Sequence, residues 1–589
     1  MDFTTLNAIR GPEDVKKLPL EKLPELAAEM REALFYRITK VGGHFGPNFG
    51  IVELTIALHY VFDSPKDQIV FDVAHQCYPH KMLTGRAFGY TDADRFSEVS
   101  GFTMPEESEH DMFFIGHTST SVSLATGLAK GRDVAGRPGN VIAVIGDGSL
   151  SGGEALEGLD YAGEMTSNLI IIVNDNEQSI AENHGGLYRN LAQLRESRGT
   201  CENNLFRAMG LDYHYVEAGN DTAALVQALR EVKDIDHPVV VHVHTVKGKG
   251  YAPAENNREG WHYAQPFNRE TGEPLHHGSG VTYASLFADH MKEKIAKDDR
   301  IVVVTAAVPG AVGLDPEIRA GFGKNYVDVG IAEEQAVAMC SGIAKNGGKP
   351  VFATNATFAQ RIFDQVTQDV CLNGSAVTIQ LSSASIFGMI DATHIGTAAI
   401  SEFSNIPGLT YLCPTNREEY LAMLDYCVDE AGGPTVIAVP CDGVNDPSYP
   451  VDRDFRVPNR YQVCELGSEI AVLALGDFFR IGQAAAAKLA EMTGYAVTLI
   501  NPRYASGVDE ALLTELCKNH RIFVTLEDGF LEGGFGAKIA SFLGSKDVRV
   551  LNYGLAKKIY DRIPAQQILS ENRITPECIC EDVAAKCLR

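Results

Sequence analysis

Short apolar runs alternating with amphipathic stretches set the architecture of this chain. The runs at 141–145 (VIAVI) and 169–173 (LIIIV) are too short for buried helices and carry no polar alternation. They predict parallel strands covered on both faces. Runs at 69–73 and 239–243 extend the series, with helices predicted over 18–34, 51–61 and 122–130. The alternation resumes with strands at 301–305, 351–354, 377–381, 409–412 and 435–439. A third series occupies 470–475, 496–500, 522–526 and 548–551. Strand–helix alternation of this kind predicts three doubly wound α/β domains, which we place at 1–278, 279–445 and 455–589. Segment 181–204 is polar and reads as an irregular loop.

In open parallel sheets, ligands sit at the carboxyl ends of the strands. The run at 141–145 leads into Gly146-Asp147-Gly148, and the run at 169–173 ends at Asn174-Asp175-Asn176. Asp147 and Asn176 are therefore oxygen donors at neighbouring strand tips. That pair suits a hard cation such as Mg2+, which keeps few protein ligands and takes the rest from phosphate and water. The glycines let a diphosphate approach the backbone and a helix N-terminus. The tripeptide alone suits any tight turn; the whole string is much more specific.

Composition narrows the field. Apolar residues make up 45% of the 589 and charged residues 22%, as in an ordinary globular enzyme. The net charge of −26 argues against nucleic acid or an anionic membrane as the main partner. Small-molecule substrates fit better. Twelve cysteines are scattered, and the one tight pair, Cys578 and Cys580, lacks a second pair at zinc spacing. They read as reduced thiols of a cytoplasmic protein. The opening residues hold no apolar signal core, and no run reaches ~18 apolar residues, so neither a secretory signal nor a membrane span is expected.

Candidate chemistry clusters at predicted strand ends. His44 lies in the glycine-rich loop 42–50, His75 and His80 follow strand 69–73, and His117 precedes helix 122–130, where hydroxyl residues offer caps. The histidine spacing is not that of a zinc helix. Lys247 and Lys249 follow strand 239–243, where a cation can meet a phosphate or an enolate. Glu333 opens a small-residue helix, where a carboxylate is also an ordinary dipole partner.

Taken in order, these strings resemble the transketolase superfamily, and within it most closely the 1-deoxy-D-xylulose-5-phosphate synthase family. The strings are G-D-G with N-D-N-E-x-S-I-x-E-N at 174–183, G-H-x-x-x-x-x-G-x-V-E-L-T at 43–55 and D-x-x-H-Q-x-Y-P-H-K at 72–81. G-H-x-S-T-S at 116–121, K-G-x-G-Y at 247–251, W-H at 261–262, G-I-A-E at 330–333 and F-x-x-R at 358–361 complete them. The resemblance implies two thiamine diphosphate-binding folds plus a transketolase C-terminal-like domain, with thiamine diphosphate and Mg2+ as cofactors. It implies Asp147, Asn176 and the carbonyl of Gln178 as metal ligands. His117, Ser119, Gly146, Gly148, Ser149, Lys247, Phe358 and Arg361 would contact the cofactor, with Phe358 stacked on its pyrimidine. Glu333 would pair with a pyrimidine nitrogen, and His44, His80, His262 and His394 would serve the substrate as donors and proton carriers.

The implied activity joins a donor-derived enamine, from pyruvate, to an aldehyde acceptor, in a homodimer. The alternatives are a transketolase-like ketol transfer or an acyloin synthesis with an unphosphorylated acceptor, and a non-catalytic paralogue. Intact Glu333, Asp147, Asn176 and Phe358 argue against the last. The chain departs from the family at 382–396, where SSASIFGMIDATHIG replaces D-R-A-G-x-V-G-x-D-G-x-T-H-Q-G. Ser383 thus stands for an arginine and Ile390 for an aspartate, while His394 is kept. Cys441 stands for the arginine of Y-P-R-G-N. In the family both arginines hold the acceptor's phosphate. Segment 181–204, shorter than in the family, is expected to gate the site.

Overall fold

Strands β1 (Gln68–Phe71), β2 (Val141–Gly146), β3 (Leu169–Asp175), β4 (Asp212–Val216) and β5 (Pro238–His244) form a parallel sheet in the order β1-β2-β3-β5-β4. The computed structural model describes residues 3–276, 278 and 280–587. Successive side chains of a strand point to opposite faces. Accordingly Ile142 and Val144 pack with helices Leu23–Val41 and Val52–Val61, while Val141, Ala143 and Ile145 pack with helices Ser121–Val134 and Gly153–Ala162. Each fully buried aliphatic side chain of this kind contributes about 1.5–3 kcal/mol. β4 escaped the apolar reading because it is an edge strand, DYHYV, with half its positions turned toward solvent.

The chain divides into two compact units, Met1–Ser279 with Gly330–Ala332, and Gly280–Val329 with Glu333–Arg589. The boundary expected at 278/279 falls beside residues 277 and 279, which lie outside the described residues. The second unit holds two sheets. β6 (Ile301–Thr305), β7 (Tyr326–Asp328), β8 (Lys349–Asn355), β9 (Thr378–Ser382), β10 (Thr410–Leu412) and β11 (Thr435–Ala438) pair in parallel in the order β10-β11-β9-β8-β6-β7. β12 (Gln462–Glu465), β13 (Glu469–Ala474), β14 (Thr498–Asn501), β15 (His520–Phe530) and β16 (Arg549–Leu555) follow in the order β12-β14-β13-β15-β16, with only β12 antiparallel. One apolar cluster joins Leu381 and Val436 of the first sheet to Leu473, Ile500 and Phe523 of the second.

Four local expectations need correction. Segment 181–204 is not irregular throughout: it carries helix Gly186–Glu196, with Leu191 and Leu194 buried. Leu187, Leu191 and Leu194 recur at helical spacing, but the charged residues between them masked it. The loop at 42–50 contains a helical turn, Gly46–Gly50, and His44 pairs antiparallel with Tyr263. The helix expected at 18–34 runs Leu23–Val41, with Pro24 in its first turn where the missing N–H is harmless, and the short helices Thr4–Ala8 and Pro12–Val15 precede it. Helix Ser121–Val134 has no side-chain cap from Thr120. Instead the Asp72 carboxylate accepts the backbone N–H groups of Ser119 and Ser121, both at 2.9 Å. All twelve cysteines are free. Among the described residues, no helix is long and apolar enough to cross a membrane.

Candidate active site

In the first unit, register builds the site. β2 and β3 pair Gly146 with Asn174, so Asp147 and Asn176 emerge together at the carboxyl edge of the sheet. Both are buried, at 1% and 8% exposure. The Asn176 N–H points at Asp147 Oδ1 at 3.5 Å, and Asn183 Nδ2 donates to Asp147 Oδ2 at 2.6 Å. Burial, reinforced by the Asp175 carboxylate, pushes the Asp147 carboxyl well above its ordinary range. The side-chain oxygens of Asn176 and Asn183 are buried without a hydrogen-bond partner. A carboxyl destabilised as an anion beside two unmet amide oxygens is a donor set that a divalent cation would satisfy. Among the described residues, no group of three or more His, Cys, Asp or Glu side chains is placed to hold a metal. Amide oxygens therefore have to do that work here, and the residues fit Mg2+.

The turn around the site is tightly packed. A Cβ on Gly148 would come within 2.8–2.9 Å of Ser179, so only glycine lets the 146–149 turn meet the one that carries Gln178. Gln178 is half-buried, with its side chain turned to Ile180 O at 3.4 Å. Ser149 is buried beside Asp147, and its carbonyl accepts Ser119 Oγ at 2.7 Å. Ser119 sits at φ 73°, an uncommon conformation for a residue with a side chain, held there by Asp72. His117, half-buried, lies two residues before it. Lys247 is buried and donates to Ser179 O. Burial lowers its ammonium to about 7. Two further cations stand at the same strand tips: Arg258 Nη1 donates to Asn176 O at 3.2 Å, and Arg195 pairs with Asp175.

Three histidines meet above β1. The His44 ring lies 5.0 Å from His75 and 5.7 Å from His262, and His75 stacks on His262 at 5.2 Å. Burial holds His262 well below its ordinary range, with Lys247 next in effect, so it stays a neutral donor or acceptor. His80 is not among them, which corrects the expectation for it. It is fully buried, its Nδ1 is 2.9 Å from His59 Nε2, and its Nε2 is 3.0 Å from Asp111. Arg86 grips the same carboxylate with two bonds of 2.7 Å. A ring with both nitrogens engaged in a buried network has none to offer a substrate. His75 was not named among the site residues, although it lies in the turn beyond β1, which ends at Phe71. The strand-tip position was the signal that could have found it.

In the second unit, Glu333 begins helix Glu333–Lys345 and is 4% exposed. Its Oε2 is buried without a hydrogen-bond partner, and Arg361 Nη1 lies 4.0 Å away. Burial raises the carboxyl to about 7, against the opposing pull of Arg361. It can thus hold or release a proton near neutrality. Phe358 and Arg361 occupy the turn after β8, and the Phe358 ring meets His394 edge-on at 5.5 Å. His394 Nδ1 in turn pairs with Asp391 at 2.8 Å. A buried carboxyl with an oxygen that lacks a hydrogen bond, and the half-buried ring of Phe358, suit an aminopyrimidine.

Ser383 and Cys441 follow β9 and β11, which are adjacent strands, so the two departures from the family meet in space. Two carboxyls lie there: Asp477 accepts the Cys441 N–H at 2.9 Å, and Asp528 accepts Ser385 Oγ and the Ile386 N–H. Burial raises Asp477 to about 6 and, with Asp477 beside it, Asp528 to about 8. Both positions follow predicted strands, yet nothing in the sequence paired them with Ser385 or Cys441.

Known proteins resemble the chain along its whole length. The 1-deoxy-D-xylulose-5-phosphate synthase family model matches residues 6–202. Models of the transketolase thiamine diphosphate binding, pyrimidine binding and C-terminal domains match 123–288, 279–444 and 460–579. A 1-deoxy-D-xylulose-5-phosphate synthase of Halalkalibacterium halodurans is 34% identical over 98% of both chains. One of Lachnoclostridium phytofermentans is 36% identical over 93% of both. The 1-deoxy-D-xylulose-5-phosphate synthase 1 of Geobacter sulfurreducens is 35% identical over 96% of this chain and 95% of its own.

Proposed function

This chain belongs to the 1-deoxy-D-xylulose-5-phosphate synthase family, and on that premise we propose that it is a thiamine diphosphate- and Mg2+-dependent transferase that joins a pyruvate-derived two-carbon unit to an aldehyde. The observation that carries the reading is Glu333: a buried carboxyl, raised to about 7, with one oxygen lacking a hydrogen-bond partner. Thiamine chemistry needs such a group, and the bound cofactor supplies the electron sink that lets the donor's carbonyl carbon act as a nucleophile.

The positions of the chain's own residues support the following roles. Asp147 and Asn176, with the carbonyl of Gln178, would hold the cation, whose charge would answer the diphosphate. Gly146, Gly148, Ser149, Ser119, His117 and Lys247 line its approach. Glu333 keeps a proton at its carboxyl and exchanges it near neutral pH, with Arg361 at 4.0 Å limiting how far that pKa rises. Phe358 presents its face to the pyrimidine, and His394, braced by Asp391, stands at its edge. His44, His75 and His262 form a donor and acceptor group for substrate oxygens. We place the domains at 1–278, 279–445 and 455–589, and take the protein to be a cytoplasmic homodimer on the family resemblance. Light scattering on the purified protein tests the oligomeric state.

The deciding assay supplies pyruvate, thiamine diphosphate and Mg2+ with a panel of aldehydes, and follows carbon dioxide release together with product mass. Coupled release and condensation is the expected result. Ketol transfer from a sugar without carbon dioxide would return the chain to transketolase-type chemistry.

A further inference from the structure

We propose that Asn183 belongs to the cation site: Nδ2 of its side chain orients Asp147, and Oδ1 serves as a further oxygen donor to the cation. The inference rests on the reading of Asp147 and Asn176 as cation ligands.

Three observations carry it. First, the amide has both ends committed to this place. Nδ2 donates to Asp147 Oδ2 at 2.6 Å, while Oδ1 is buried beside it with no hydrogen-bond partner. Asn176 repeats the pattern, with its N–H directed at the other Asp147 oxygen and its Oδ1 also unmet. Buried amide oxygens are rarely left without a partner, and two flanking one carboxylate call for a shared one.

Second, the fold takes trouble to bring Asn183 back. Gln178 and Glu182 form an antiparallel bridge, so the chain leaving β3 reverses and returns to Asp147. The following helix is then fastened to the same strand tips by two further side chains. Tyr188 OH donates to Gly148 O at 3.0 Å, and Arg195 pairs with Asp175. A segment expected to be a loose gate is thus held at three points around one site.

Third, the chemistry is suited to the task. A neutral amide oxygen adds a donor without adding negative charge, which preserves the cation's attraction for a diphosphate. A second carboxylate would offset it.

The test uses the full-length protein with thiamine diphosphate and Mn2+ in place of Mg2+. The electron paramagnetic resonance signal of free Mn2+ gives affinity, and line broadening in oxygen-17 water counts the waters bound to the ion. Asn183→Leu removes both ends of the amide at similar size. It is expected to weaken Mn2+ binding by about tenfold or more and to gain one bound water. Asn183→Asp, which keeps an oxygen, is expected to retain tight binding and the original water count. Unchanged affinity and hydration in Asn183→Leu would overturn the proposal. Weakened affinity with unchanged hydration would overturn the donor role and leave only the orienting bond. Asp147→Asn is the control for the underlying reading: if it leaves Mn2+ binding intact, the cation site itself is misplaced, a failure distinct from that of Asn183.

Discussion

Glu333 combines an unfavourable burial with a use for it. A carboxyl whose folded-state pKa is raised binds more protons when folded than when unfolded across the interval between the two values. Stability conferred on the protonated form is therefore lost as pH rises from the ordinary carboxyl range toward about 7. Glu333→Gln removes that titration. In cofactor-free protein its melting temperature should fall less than that of the unsubstituted chain between about pH 5 and pH 8. The same substitution removes the exchangeable proton, so turnover should drop by on the order of 10²-fold or more while thiamine diphosphate still binds. Parallel melting curves, or near-normal turnover, would count against the assignment. His80 makes the opposite point at the same scale. Its motif matches the family, but a ring held between His59 and Asp111 is packing and electrostatics rather than substrate chemistry.

At the level of elements, strand tips decide what is present, and the loops after them decide what is bound. β9 and β11 lie side by side, and the residues after them, Ser383 and Cys441, share their surroundings with Asp477 and Asp528. A hydrogen bond to a charged group is worth roughly 1.5–3 kcal/mol. Losing two such arginine contacts costs about 3–6 kcal/mol if they add, or about 10²- to 10⁴-fold, and less if both served one phosphate. Asp477, raised only to about 6, opposes an anion further, while Asp528, raised to about 8, stays largely protonated near neutrality. We expect kcat/KM with an unphosphorylated aldehyde to exceed that with glyceraldehyde 3-phosphate, both measured with pyruvate. A clear preference for the phosphorylated acceptor would show that another cation, such as Arg480 beside Asp442, has taken over. The strands themselves were legible because buried parallel strands are written as unbroken apolar runs. Edge strand β4 and helix Gly186–Glu196 were not, since partial exposure dilutes their patterns with polar residues. For His75 the strand-tip position was a signal left unused, while the return of Asn183 to Asp147 depends on a reversal of the chain that no local spacing encodes.

For the molecule as a whole, the difficulty is charge. A chain of net charge −26 has to bind a diphosphate, and the site it offers holds the buried carboxylates Asp147 and Asp175. Two sources of repulsion are therefore possible, the overall field and the local carboxylates, and they differ in range. Exposed charges act across water and are screened beyond a Debye length of about 10 Å at 0.1 M salt. Buried carboxylates at the strand tips are screened far less. Arg195 is already paired with Asp175, and the buried Lys247 is itself pushed down to about 7 and is only partly charged at neutrality. If the global field were the obstacle, salt alone would relieve it. If the local carboxylates are, only a cation seated among them can. We therefore expect calorimetry to show thiamine diphosphate affinity falling by at least about 10²-fold, equivalent to about 2.7 kcal/mol, when Mg2+ is replaced by a chelator. Sodium chloride at about 0.5 M, where screening is short-ranged, should not restore it. Equal affinity with and without the divalent ion would remove Asp147 and Asn176 from the role given them. Rescue by monovalent salt would instead locate the repulsion on the surface of the protein, leaving Lys247 and the glycine turn to bind the diphosphate unaided.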